Sequence, residues 1–419
     1  MIASKTPAVI QGVGPCPSSS SPSLPGDQSD SRTNDEGRGR SPSDERFTID
    51  GSPELESHLL GLCQLARDSV MAEIPDPLLE GMLLAGGYGR GEGGVLQTPE
   101  GERPYNDLEF YVFLKGVHWL NQRKYQPLLH HAAEKLSANC GIEIELRVLS
   151  FRKLRRSAPS TFYYDLALGH RWIIGQEHLL RGCEHHRNGQ AIPLAEAARM
   201  LMNRCSGLLF AKERLQNSTF TVVDSDFVGR NIEKAKLALG DVVLTASGEY
   251  HWSCLERNRR LQKAKLDVPW LDEVRHHHRQ GMEFKLHPKQ SRLSPAELGA
   301  ELEEMADLGL KVWLWLESKR LACSFSGPRE YALDPVNKCP ETSRWRNALV
   351  NFRAGDWRLD RLFRYPRVGV LNCLPLLLWC WQDPPERAVM EFLQRELRTK
   401  ESAFGPLVRV YRELWSQFN

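Results

Sequence analysis

One stretch constrains this chain more than any other. It is Gly86-Gly87-Tyr88-Gly89-Arg90-Gly91-Glu92-Gly93-Gly94, followed by Pro104-Tyr105-Asn106-Asp107-Leu108-Glu109-Phe110-Tyr111-Val112-Phe113. An apolar run, Met82-Leu83-Leu84-Ala85, leads into the glycines, so a short strand is expected to enter a turn there. In the second apolar run the period of two puts Asp107, Glu109 and Tyr111 on one strand face, with Leu108, Phe110 and Val112 on the other. Two acids on one strand face repel each other and gain nothing from burial. A divalent cation bound between them is the usual reason to tolerate the arrangement.

With 419 residues the chain has room for two or three domains with real cores. The formal net charge of +2 argues against a general nucleic-acid binder, which would be clearly basic. The 10 cysteines are scattered without a C-x-x-C pair and read as reduced, mostly buried thiols of a cytoplasmic protein. No apolar segment follows the N-terminal charge, so no secretory signal is expected. The run Val368 to Trp381 contains Asn372 and Pro375 and is too short to span a bilayer. It reads as a core helix, and no membrane association is expected.

The expected fold is α+β: a small mixed sheet with helices, followed by an all-helical C-terminal domain. Residues 1–45 are rich in Ser, Pro, Gly and Asp and read as a disordered tail. Residues 46–188 form the first ordered domain. Ser52 caps a helix with Pro53 in its first turn, and Pro75 and Pro77 stop it. A short helix or loop is expected through 90–104, the acidic strand over 107–114 and a helix over 121–138. Ile142 to Leu149 alternates strictly, with Glu143, Glu145 and Arg147 outward, and a last short strand fits His170 to Gly175. Residues 189–419 carry apolar residues at three- and four-residue spacing and a cluster of tryptophans, which predicts about eight helices.

A strand, a glycine turn, a strand bearing D-x-E and a later acidic strand together resemble the nucleotidyltransferase superfamily, which includes DNA polymerase β, CCA-adding and aminoglycoside nucleotidyltransferases. Its pattern hG[G/S], [D/E]h[D/E]h, h[D/E]h is matched by Gly86-Gly87, Asp107-Leu108-Glu109-Phe110 and Ile144-Glu145-Leu146, or Ile142-Glu143-Ile144 for the last. The likeness covers roughly residues 80–176. It implies a nucleotidyltransferase-type sheet in which Asp107 and Glu109 hold two Mg²⁺ ions. Glu145, preferred over Glu143, would be the third ligand or a general base. The Gly86-Gly87 turn would offer backbone N–H groups to the triphosphate of an NTP, ATP by preference. Glycine where many relatives carry serine, and glutamate rather than aspartate at 109, depart from the commonest version.

Other readings compete. A dinucleotide fingerprint needs G-x-G-x-x-G spacing, which Gly87-x-Gly89-x-Gly91 lacks, and no kinase H-R-D or D-F-G follows. Arg90 could meet the triphosphate or pair with Glu92. Arg204 falls inside an apolar helical stripe with Ala197, Leu201, Cys205, Leu208 and Leu215, so it is either a nucleotide ligand or one half of a buried pair. Lys236 borders the stripe Ile232, Ala235, Leu239, Val242. The resemblance makes it a candidate to close on the triphosphate, and snorkelling on a surface helix is the alternative. His276-His277-His278 and Cys183-x-His185-His186 lack a second ligand pair and read as surface loops. The basic runs Arg152 to Arg156 and Arg257 to Lys265 read as solvated helix faces.

These readings combine into one expectation: a Mg²⁺-dependent transferase moving a nucleoside monophosphate, AMP from ATP, to a hydroxyl of a small-molecule acceptor. The alternatives are transfer to a protein or RNA, or a nucleotide-binding regulator without turnover.

Overall fold

The computed structural model describes residues 46–353, 361–382 and 385–418. The tail expected at 1–45, including Cys16, lies outside them. The described chain divides into two compact units. One comprises 46–93 and 102–187, and the other 94–101 and 188–418, with the main division between Arg187 and Asn188.

The first unit opens with helix α1 (Pro53–Glu73), capped by Ser52, whose side chain accepts from the Leu55 N–H. Strand β1 (Leu79–Leu84) runs into the one-turn helix α2 (Gly86–Gly89). Strands β2 (Val95–Thr98) and β3 (Gly101–Pro104) pair as a hairpin, which replaces the helix or loop expected through 90–104. Alternating exposure along Gly101–Pro104 and the Thr98–Gly101 turn, where the Thr98 hydroxyl donates to the Gly101 carbonyl, explain why this polar stretch is extended. Then come β4 (Leu108–Leu114), α3 (His118–Cys140), β5 (Ile144–Leu149), α4 (Phe151–Leu154), α5 (Thr161–Leu168) and β6 (Arg171–Ile174).

The main sheet has the order β5-β4-β1-β6. β1 is antiparallel to β4 and β6, and β4 is parallel to β5 through the α3 crossover. β4 is therefore an interior strand, and every residue on it except Glu109 is buried. The face carrying Glu109 is divided along its length. Tyr111 and Phe113, further along, are covered by α4 and α5, with Phe113 stacked on Phe151 at 4.0 Å and Tyr111 at 5.3 Å from Phe162. The acids stay at the uncovered end.

The second unit is helical: α6 (Leu194–Leu215), α7 (Val222–Ala246), α8 (Cys254–Lys263), α9 (Leu271–Leu286), α10 (Pro295–Leu321), α11 (Pro328–Leu333), α12 (Arg344–Arg353), α13 (Arg367–Leu378), α14 (Arg387–Leu397) and α15 (Phe404–Phe418). These are ten α-helices among the described residues, where the periodicity suggested about eight. One apolar core joins α6, α7 and α10 to α13 and α15. The predicted core helix is α13, buried from Val370 to Leu378 despite Pro375. No described helix is long and apolar enough to cross a membrane, and the nine described cysteines are free thiols.

Candidate functional site

The parallel register sets Glu109 directly beside Glu145, and Leu108 beside Ile144. Registered residues on parallel strands share a face, so two carboxyl groups stand side by side; Asp107, expected as the first residue of the strand, lies one residue ahead of β4, near enough for its charge to act on Glu109. Glu109 pays for this position. Its carboxyl is pushed up to about 7, first by burial and then by the charges of Asp107 and Glu145, against the opposing pull of Arg147 and Arg90. Glu145 is also raised by burial, while Arg147 pulls it down through an ion pair of 2.5 Å. Glu143, the other candidate for the third carboxylate, is exposed just ahead of β5.

The glycine turn lies against these acids. Gly86 has φ of +68°, a backbone state L-residues rarely adopt, and a Cβ there would lie 3.5 Å from the Glu109 carboxyl. The Ala85 N–H donates to the Glu109 carbonyl at 2.9 Å, so the β1–β4 ladder delivers Gly86 and Gly87 to this place. The Glu92 N–H closes the loop onto the Gly87 carbonyl at 2.9 Å.

Sequence reasoning gave no role to Tyr88. It is fully buried within the glycine run, and its hydroxyl accepts the Tyr105 N–H at 2.9 Å. Gly93 makes room for the ring, since a Cβ there would lie 2.0 Å from it. Tyr88 thus ties the glycine turn to the Tyr105-Asn106 turn that aims Asp107. A tyrosine among glycines was the available signal. Arg147 was also passed over, although its parity with Glu145 was readable. Arg90 bonds Asp165 of α5 at 3.1 Å and stands near enough to Glu109 to lower its carboxyl.

The helical-unit candidates are placed differently. Arg204 of α6 keeps exposed surface while Ala197, Leu201, Cys205 and Leu208 of its stripe are buried, yet it is crowded enough that burial lowers its guanidinium, with the charge of Asp241 opposing. Lys236 is buried on α7, with its ammonium 2.8 Å from Glu233 and 3.3 Å from Glu301, so its charge is already matched within that unit. It neither snorkels nor stands free.

Three loop or surface expectations are corrected. His276-His277-His278 lies inside α9, where His278 is fully buried with Nε2 3.1 Å from Asp241, because helix periodicity turns two of the three rings inward. His186 is likewise buried, its Nε2 2.8 Å from the Leu154 carbonyl. Arg257, taken for part of a solvated face, is buried against Asp241 at 2.7 Å. Among the described residues no group of three or more His, Cys, Asp or Glu side chains converges as a metal cage. The donors outside the Arg147–Glu145 pair at the acidic face are Asp107 and Glu109, the latter accepting the Tyr111 hydroxyl at 3.5 Å; both offer hard oxygens of the kind Mg²⁺ takes together with ligand phosphates.

Compared with known proteins, this chain matches no family model, no curated protein and no solved structure.

Proposed function

We propose that this chain is a cytoplasmic, Mg²⁺-dependent nucleotidyltransferase that moves AMP from ATP to a hydroxyl of a small-molecule acceptor. One observation carries the reading. Gly86 sits so close to Glu109 that a Cβ on it would lie 3.5 Å from the Glu109 carboxyl, which stands in register with Glu145 and two residues after Asp107. We read the bend as the phosphate-binding element and the carboxylates as the cation-binding one, and their proximity supports triphosphate chemistry.

Asp107 and Glu109 would hold the metal, and the raised carboxyl of Glu109 is the group that gains most from a cation beside it. Bound there, Mg²⁺ supplies charge neutralisation at the phosphates and acidifies the attacking hydroxyl. Gly86 and Gly87 bring main chain close to the phosphates. Arg90, oriented by Asp165, adds positive charge at the same end of the sheet. Glu145 accepts the acceptor's proton once Arg147 is drawn away from it.

The test is release of pyrophosphate from labelled ATP with Mg²⁺ across a panel of hydroxyl acceptors. Asp107→Ala should abolish it, and Glu134→Ala, an exposed α3 change, should not. Equal activity in both variants would sink the assignment. The ion pair between Arg147 and Glu145 favours a second reading, a nucleotide-binding regulator whose third carboxylate is permanently neutralised. Calorimetry showing ATP–Mg²⁺ binding without pyrophosphate release from any acceptor would select it.

A further inference from the structure

The helical unit holds a second feature that the acidic face does not explain. A cavity of about 700 Å³ lies between the α11–α12 connection, α13 and α14. That size suits a small organic ligand. Its lining is cationic in effect. Glu396 is shared by Arg361 at 3.1 Å and Arg364 at 2.9 Å, so its charge is used up. Asp334 accepts the Val336 N–H and keeps its own charge, so two acids face four arginines, Arg344, Arg364 and Arg395 with Arg361 behind Glu396, an excess of two positive charges. Arg344 and Arg395 are exposed at the rim, and among the described residues neither side chain has a carboxylate or a hydrogen-bond acceptor. Each lies against an aromatic ring instead: Arg344 is 5.2 Å from the Phe363 centroid and Arg395 is 5.0 Å from that of Phe392.

Two further groups mark the wall. Asn372 of α13 lines the cavity at 5% exposure, and its carboxamide oxygen has no donor. A buried amide left half-satisfied is costly unless a ligand or a rotation of the amide completes it. Behind the wall Lys338 is buried, its ammonium bonded to the Asp334 carbonyl at 2.8 Å and 4.9 Å from the Tyr331 ring centroid. Burial, with Arg364 nearby, pushes it down to about 8 against the opposing pull of Asp334, Glu317 and Glu396.

We propose that this cavity binds a phosphate monoester bearing a flat apolar group, with its phosphate on Arg344 and Arg395 and its ring against Phe363 and Phe392. The charge count selects the class. That excess of two positive charges calls for close to two negative charges, which a phosphate monoester carries near neutral pH and a carboxylate does not. Planar guanidinium forks also match phosphate oxygens two at a time. The site belongs wholly to the helical unit and does not depend on the acidic face being catalytic.

Phenyl phosphate titrated into the full chain by calorimetry tests this. Saturable one-to-one binding is expected, at least tenfold tighter than inorganic phosphate or benzoate. Arg344→Gln with Arg395→Gln should weaken it at least tenfold, while Asp107→Ala should leave it unchanged. Both arginines are exposed, and circular dichroism of the double variant should match the parent. Absence of saturable binding overturns the proposal, as does unchanged affinity in the double variant. Loss of binding in Asp107→Ala alone would move the phosphate to the glycine turn and overturn it equally.

Discussion

The two units treat buried carboxylates in opposite ways. In the helical unit each arrives with its cation. Asp241 meets Arg257 and His278, Glu317 meets Arg320 at 2.6 Å and the Tyr331 hydroxyl at 2.9 Å, and Glu396 meets Arg361 and Arg364. Asp241 is held well below the usual carboxylate range, because Arg257 and then His278 outweigh the cost of its burial. At the sheet of the first unit, Asp107, Glu109 and Glu145 crowd one face, and Arg147 pairs with Glu145 alone. Glu109 moves up where Asp241 moves down. Paired acids hold a structure together, whereas acids left in excess invite an external cation.

The contrast can be broken by mutation. At the acidic face, Asp107→Ala or Glu109→Gln should lower nucleotidyl transfer by roughly 100-fold or more, since a metal ligand is lost. Neither should lower the melting temperature, and Glu109→Gln should raise it by relieving like-charge repulsion. A fall in melting temperature with activity kept would erase the distinction between the units. In the helical unit, Asp241→Ala should cost about 3–5 kcal/mol in denaturant unfolding by leaving Arg257 and His278 buried without their acid. A loss below about 1 kcal/mol would mean that the network is solvated and adds little.

Smaller effects sharpen the comparison. Tyr88→Phe strands the Tyr105 N–H and should cost about 1 kcal/mol, together with a loss of activity larger than its effect on ATP affinity. A change in neither would remove Tyr88 as the link that aims Asp107. The smallest effect concerns pH. His118 and His251 are both pushed down to about 4, mainly by burial, with Lys153 beside the first and Arg260 beside the second. Their folded values lie below the unfolded value of about 6.5, so between these limits the unfolded chain binds more protons. The two histidines therefore contribute a fall in stability as pH drops from about 6.5 to 4, opposed over most of that window by Glu109, whose raised carboxyl favours the folded chain as pH falls from about 7 to 4.5. His118→Gln should flatten part of the slope, and an unchanged slope would assign it to other groups.

Much of the first unit was legible. The alternation predicted a strand with Glu109 opposite Leu108 and Phe110, because a strand's period is local, although the strand begins at Leu108 and leaves Asp107 just ahead of it. Ser52 and Pro53 announced the start of α1 for the same reason. The hairpin at 95–104 was not legible, since its polar residues carry no apolar alternation and its pairing is made between segments. His278 and Arg257 were misjudged because a polar residue's burial depends on a partner from another helix, here Asp241, that spacing along the chain does not reveal. Lys236 was noticed for bordering an apolar stripe, but its partner Glu301 sits 65 residues away.

By itself, then, the sequence determined what is set by neighbours within a turn or a strand. That covers the glycine bend, the placement of Glu109 on its strand, the alternating strand that bears Glu145, and the switch to helical periodicity after residue 188. Tertiary structure alone decided the register that puts Glu109 beside Glu145, the tie from Tyr88 to the Asp107 turn, and which charges are matched. Register and charge pairing are made between segments distant in sequence, and their energies depend on distance and burial, which exist only once the chain has folded.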